Sequence, residues 1–217
     1  MTAASRVGIA RVAALTGAYL LAAAYGAIRT GNLEFIFYIG VMLVLIGAVW
    51  VVHRAIGLPE AALWALSVWG LLHMAGGLLP PPAGWPAEGG AEVLYGLWIV
   101  PGRIKYDHLV HAWGFGVTTW VCWLGLSASL ERAGVAATPG FGRLVLVWVA
   151  GMGFGALNEV VEFAATLLVP ETNVGGYRNT GWDLVSNLVG ATVAVVAIAL
   201  TRRVRADSEA ADTEGEG

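Results

Sequence analysis

The chain has 217 residues, of which 58% are hydrophobic and only 12% charged, and its mean hydropathy is +0.72. Such a composition excludes a soluble domain of this length and describes a polytopic membrane protein. The formal net charge of -3 owes much to an acidic end segment, and no basic stripe interleaved with aromatics stands outside the apolar runs, so nucleic acid is not expected as a partner.

Stretches of about 18 or more apolar residues fall at 10–28, 34–52, 60–79, 107–130, 143–169 and 182–201, which predicts an all-α bundle of six transmembrane helices in a single domain, 1–205. Arg6 and Arg11 before an apolar run with the Ala-rich Leu21–Ala24 resemble a cleaved signal peptide. The run from Val12 to Ile28 is nearly long enough to span, however, and five spans follow it, so retention is expected. Arg29-Thr30-Gly31-Asn32 breaks the first span from the second. His53, beside Arg54 in the next break, reads as a solvated loop residue.

The third span carries a lone His73, and a Pro/Gly-rich loop from Pro80 to Lys105 follows. With Trp85, Trp98 and Leu94–Val100, that loop is either a cap over a site or a plain connector. The fourth span opens Tyr106-Asp107-His108-Leu109-Val110-His111. Asp107 and His111 stand one helical turn apart, so the carboxylate can orient the imidazole or both can hold a metal. Capping and complementing the helix dipole would also account for Asp107, but not for His111 a turn deeper. Cys122 lies inside this span and is the only cysteine, which excludes an intramolecular disulfide and a CxxC site.

In the fifth span, Asn158-Glu159-Val160-Val161-Glu162 places two carboxylates on one helix face, where they repel unless protonated, paired or metal-bound. Gly151, Gly153 and Gly155 precede them as a small-residue packing face. The sixth span begins near Asn179-Thr180-Gly181-Trp182-Asp183, which fits a capping box with Thr180 as N-cap. Asn187 and Gly190 follow on nearly one face, where an Asn also serves as ordinary interhelical glue. Residues 206–217, with Asp207, Glu209, Asp212, Glu214 and Glu216 among small residues, read as a disordered acidic tail.

With the amino terminus inside, Arg6, Arg11, Arg54, Arg132, Arg143, Arg202, Arg203 and Arg205 are cytoplasmic, against Arg29, Arg103, Lys105 and Arg178 outside, so both termini are expected in the cytoplasm. Helical rise then sets depths below the outer span ends of about 9 Å for His73, about 6 Å for His111, about 10 Å for Glu162, about 15 Å for Glu159 and about 7 Å for Asn187. Scattered structural residues need not share a depth, so one outward-opening pocket is expected. Ionisable groups inside a membrane are costly and ordinarily face a bundle interior.

The series Tyr106-Asp107-x-x-x-His111, Glu159-x-x-Glu162 and Thr180-x-Trp182-Asp183-x-x-x-Asn187-x-x-Gly190-Ala191 resembles the uncharacterised bacterial inner-membrane family typified by YjdF and, more distantly, the VanZ-like proteins. The likeness runs from His73 to about Val193, roughly half the chain, and spans one and two carry none of it. It implies a multipass protein of the cell membrane. One departure stands out: the YjdF-like pattern has Asp where this chain has Asn179, which removes a potential ligand.

Three functions fit this reading. One is an enzyme in which His73, Asp107, His111, Glu159, Glu162 and Asp183 supply ligands for a divalent cation acting on a lipid-linked or envelope substrate, supported by Asn158, Asn179 and Asn187. Mixed imidazole and carboxylate donors suit zinc, manganese or iron over copper(I), and Glu159, Glu162 and His111 are the candidate catalytic groups. The second is proton- or cation-coupled transport through the same carboxylates, although no matching halves and no Pro inside a span support it. The third is a scaffold in which the polar residues only hold helices together.

Overall fold

A computed structural model describes residues 3–88, 92–170 and 172–215, with side chains from 7 to 201 among these. Six long helices dominate: α1 (Ala3–Thr30), α2 (Leu33–Ile56), α3 (Glu60–Leu78), α4 (Tyr106–Arg132), α5 (Phe141–Leu168) and α6 (Tyr177–Gly215). Each is long and apolar enough to cross a membrane, and the chain is an all-α bundle of six membrane-spanning helices. Their outer faces are rich in exposed Leu, Val, Ile and Phe, as a lipid-facing surface requires.

Local chemistry sets the helix ends. Asn32 caps α2 by accepting from the Phe35 N–H at 3.0 Å, and Gly57 closes the same helix with φ 68, a left-handed conformation that a side chain disfavours. His53 therefore lies in the last helical turn of α2 and not in a loop, and its carbonyl accepts from Gly57. At α4 the side chain that caps is His108, whose Nδ1 accepts from the Lys105 N–H at 3.2 Å, while Asp107 sits inside the first turn.

The largest departure from the sequence reading is the start of α6. The helix begins at Tyr177, so Thr180 and Asp183 lie inside it and form no capping box. The polar run Tyr177–Gly181 reads as loop by composition. Its Asn179 side chain is nevertheless bonded within the bundle, so polarity and helix are compatible there. The acidic tail expected at 206–217 falls on residues whose side chains lie outside those described.

Between α3 and α4 the Pro/Gly-rich loop is more ordered than its composition suggests. It holds a single 3₁₀ turn at Leu94–Gly96 and a short antiparallel pair, β1 (Trp98–Val100) with β2 (Ile104–Lys105), turning at Gly102 with φ 68. The Leu94 N–H donates to the Leu79 carbonyl at 2.7 Å, which ties the loop back to the end of α3.

Helix α4 is the centre of the bundle. Its closest neighbour is α6, where glycine removes the side chains that would hold the backbones apart. A Cβ on Gly190 would collide with the Ala112 carbonyl, and one on Gly116 would meet the Gly190 carbonyl at 3.1 Å. On α5, Gly151 faces buried Thr119 and Gly155 faces the Asn187 amide, whereas Gly153 points into open space. The expected three-glycine face is thus a two-glycine face at helical spacing.

Candidate metal centre

Asp107, His111, Glu159, Glu162, Asp183 and Asn187 come from three helices and converge at one end of the bundle. His111 is their common neighbour. Its Nε2 lies 3.6 Å from Asp107 Oδ1, 3.8 Å from Glu162 Oε1 and 4.0 Å from Asp183 Oδ1, and its Nδ1 lies 3.8 Å from Glu159 Oε1. Asp183 and Asn187 are fully buried and His111 nearly so. The close approach of α6 to α4 at Gly190 accounts for this placement, because Asp183 and Asn187 lie seven and three residues before Gly190, on the same face.

The hydrogen bonds within the cluster are unevenly shared. Asn187 Oδ1 stands 3.1 Å from His111 Nδ1; since an amide oxygen only accepts, Nδ1–H donates to it, and Nε2 is turned toward the three carboxylates. Asn158 Nδ2 donates to Glu162 Oε1 at 2.7 Å, and Asn179 Nδ2 donates to Asp183 Oδ2 at 2.6 Å and more weakly to Asp107 Oδ2 at 3.4 Å. Both oxygens of Glu159 and Oδ1 of Asp183 are buried with no hydrogen-bond partner. Orphaned buried acceptors of this kind are rare and costly unless a cation or proton satisfies them.

Two sets of three donors, Asp107-His111-Asp183 and His111-Glu159-Glu162, each hold their ligand atoms within 4.8 Å of one another, so this buried cluster could hold a metal ion. Donors at about 2.0–2.2 Å from a shared ion stand roughly 3.4 Å apart along a tetrahedral edge, so these donors would draw together around an ion. Oxygen and imidazole donors together match zinc, manganese or iron.

His73 stands apart from this cluster. Its Nδ1 lies 2.6 Å from the Tyr95 hydroxyl, which donates to the His73 carbonyl at 3.0 Å, so Nδ1–H donates to the phenol oxygen. Burial pushes the Tyr95 phenol well above its usual pKa and keeps that donor in place. His73 and Tyr95 instead line a polar cavity of about 250 Å³ that also reaches Asp107 and Glu162.

Three members of that cavity carry weak sequence signals. Glu34 accepts from both the backbone and the side chain of Asn173, at 2.9 and 3.0 Å, yet in sequence it is an ordinary first-turn acid on α2. Tyr95 reads as an unremarked loop residue. Lys105 reads as a loop cation, but its side chain is buried and bonds Glu88 Oε2 at 2.9 Å and Asn179 Oδ1 at 2.8 Å.

Residues 11–204 match the family model described as predicted membrane protein (DUF2238). The chain belongs to that family. The match takes in α4, α5 and α6 as far as residue 204, so the cluster falls wholly within the DUF2238 region. Comparison with curated proteins and with solved structures finds no match.

Proposed function

We propose that this DUF2238 protein is a metal-dependent hydrolase or transferase of the membrane, acting on a lipid-linked or envelope substrate. One observation carries the reading: carboxylate oxygens of Asp107, Glu162 and Asp183 surround His111 Nε2 at 3.6–4.0 Å, too far to hydrogen-bond and too close together to stand unneutralised. Lys105, the cation lining the adjoining cavity, is already engaged by Glu88 and Asn179. Asp107, His111 and Asp183 are the ligand set, with Glu162 beside them.

A divalent cation bound there would polarise a phosphoryl or ester oxygen and lower the pKa of a bound water. Glu159, with both oxygens free of hydrogen bonds and 3.8 Å from the imidazole, is placed to accept the proton such a water would give up, while His111 serves as ligand through Nε2. The Arg and Lys distribution orients the cluster toward the outer face with both termini cytoplasmic, and the motif order supports a YjdF-like affinity and the bacterial inner membrane as location.

Metal analysis of the full-length protein in detergent, after reconstitution with zinc, manganese or iron(II), tests the reading. Stoichiometric metal in the wild type and its loss in Asp183→Asn is the expected result. Wild-type protein that retains none of these metals overturns it.

A further inference from the structure

The polar cavity beside the cluster does not end there. Tyr38, His73 and Glu162 line it and also line a narrow gap of about 20 Å³, room for little more than one water. Met42, Leu45 and Trp69 line that gap and, in turn, a groove of about 340 Å³ between α1, α2 and α3. The three spaces therefore adjoin in series through shared walls, a track that narrows at the middle and changes in character along its length.

At the cluster end its wall is Glu34, Lys105, Asn173 and Asn179 together with phenols. At the far end it is almost wholly aliphatic and aromatic, from Ile9 and Val12 to Ile46 and Val49. Thr16 and Ser67 in the groove bond each other at 2.8 Å, and His53 stands at its far end beside Trp50, so the length between is mainly hydrocarbon surface. From Tyr38 to Trp50 the track follows α2 for about 18 Å. Leu45 and Trp50 are exposed on its rim, so it opens sideways to lipid.

We propose that this track binds a single-chain amphiphile, with its polar head in the cavity beside the cluster and its hydrocarbon chain in the α1–α2–α3 groove. The proposal rests on the reading of the cluster as a centre for a lipid-linked substrate, and it names the part of the molecule that recognises the lipid. A lipid of the surrounding bilayer keeps its head in the interface and its chain against the outer helix faces. Only a ligand with one polar and one apolar end matches a track that is acidic and amide-rich at one end and hydrocarbon at the other. Met42 stands at the narrowest point, and its unbranched, flexible side chain is suited to yield to a methylene chain. Helices α1 and α2, which bring nothing to the His111 cluster, acquire a role as two walls of the tail site.

Photolabelling of the full-length protein in nanodiscs with a diazirine-bearing monopalmitoyl glycerol, whose uncharged hydroxyl head suits an acidic, amide-rich wall, tests the proposal, read by peptide mapping. Label is expected on 9–20, 42–53 and 63–69, displaced by unlabelled monopalmitoyl glycerol. A Cβ at Gly17 meets nothing within 4 Å, so Gly17→Leu can fold and fills the groove, and it is expected to cut this label about tenfold, while Gly17→Ala keeps it. Label spread evenly over the lipid-facing α5 residues Val149, Leu157 and Val160, or undiminished in Gly17→Leu, overturns the track. Metal content is measured on the same samples. Competed groove label in protein that holds no metal would sink the metal reading alone, whereas stoichiometric metal without groove label would sink the track alone.

Discussion

The Asn187 side-chain oxygen lies 3.1 Å from His111 Nδ1 in a fully buried contact between α6 and α4. This bond turns the other ring nitrogen toward Asp107, Glu162 and Asp183. A partner that orients a ligand imidazole is ordinarily as necessary as the ligands themselves.

Asn187→Leu keeps much of the side-chain volume and removes that acceptor. The imidazole loses its fixed tautomer, and divalent-cation affinity is expected to fall about 10–100-fold, the usual effect of losing an orienting partner. Competition titration with a chelator measures this. Affinity equal to wild type would show that Asn187 serves only as interhelical glue.

Glu159→Gln separates the buried acid from the ligands. Both oxygens of Glu159 are buried without partners, so in metal-free protein the neutral amide relieves a desolvated carboxylate and should raise the unfolding midpoint. In the wild type, metal at about a hundred times its Kd should add about 2.7 kcal/mol, and the variant, which keeps the ligands Asp107, His111 and Asp183, should retain most of that gain. Thermal unfolding with and without metal gives both numbers. A variant less stable in both conditions would identify Glu159 as an ordinary packing residue.

Asn179 stands between two acids and a cation. Its amide donates to Asp183 and to Asp107 while its oxygen accepts from Lys105. Asn179→Asp removes the donor and adds a third acid beside two others, so the metal-free protein should lose about 1–3 kcal/mol, and divalent cations should bind more tightly and restore it. Stability and affinity measured on one preparation test the coupling. A loss of stability that metal does not recover would contradict it.

Charge and spacing make the convergence of His111 with Glu159, Glu162 and Asp183 legible in the sequence, because costly groups at a shared depth in an apolar chain have few other places to face. Glu34 is illegible for the converse reason. A first-turn acid next to a cap residue has a sufficient local explanation, and its partner Asn173 lies 139 residues away. His73 shares the depth of the cluster but not its chemistry, since its nitrogen is taken by Tyr95, a loop residue that no periodicity marks. The capping-box reading of Thr180 and Asp183 fails because a motif of two residues three apart cannot tell a helix start from a polar helix face turned toward a site.

The position of Asp183 and Asn187 depends on how closely α6 approaches α4, and Gly190 sets that distance. A methyl group there would strike the Ala112 carbonyl, a backbone atom that cannot swing aside as a side chain can. Gly190→Ala should therefore push α6 away and cost about 1–3 kcal/mol, carrying Asp183 and Asn187 away from His111 and weakening metal binding with it. Gly153→Ala is the matched comparison, since its methyl group meets nothing within 4 Å, and the higher helix propensity of Ala should leave stability unchanged or raised by up to about 1 kcal/mol. Unfolding midpoints and chelator titrations of the two variants, run in parallel, decide the matter. Equal behaviour would mean that the α4–α6 approach does not hold the centre together.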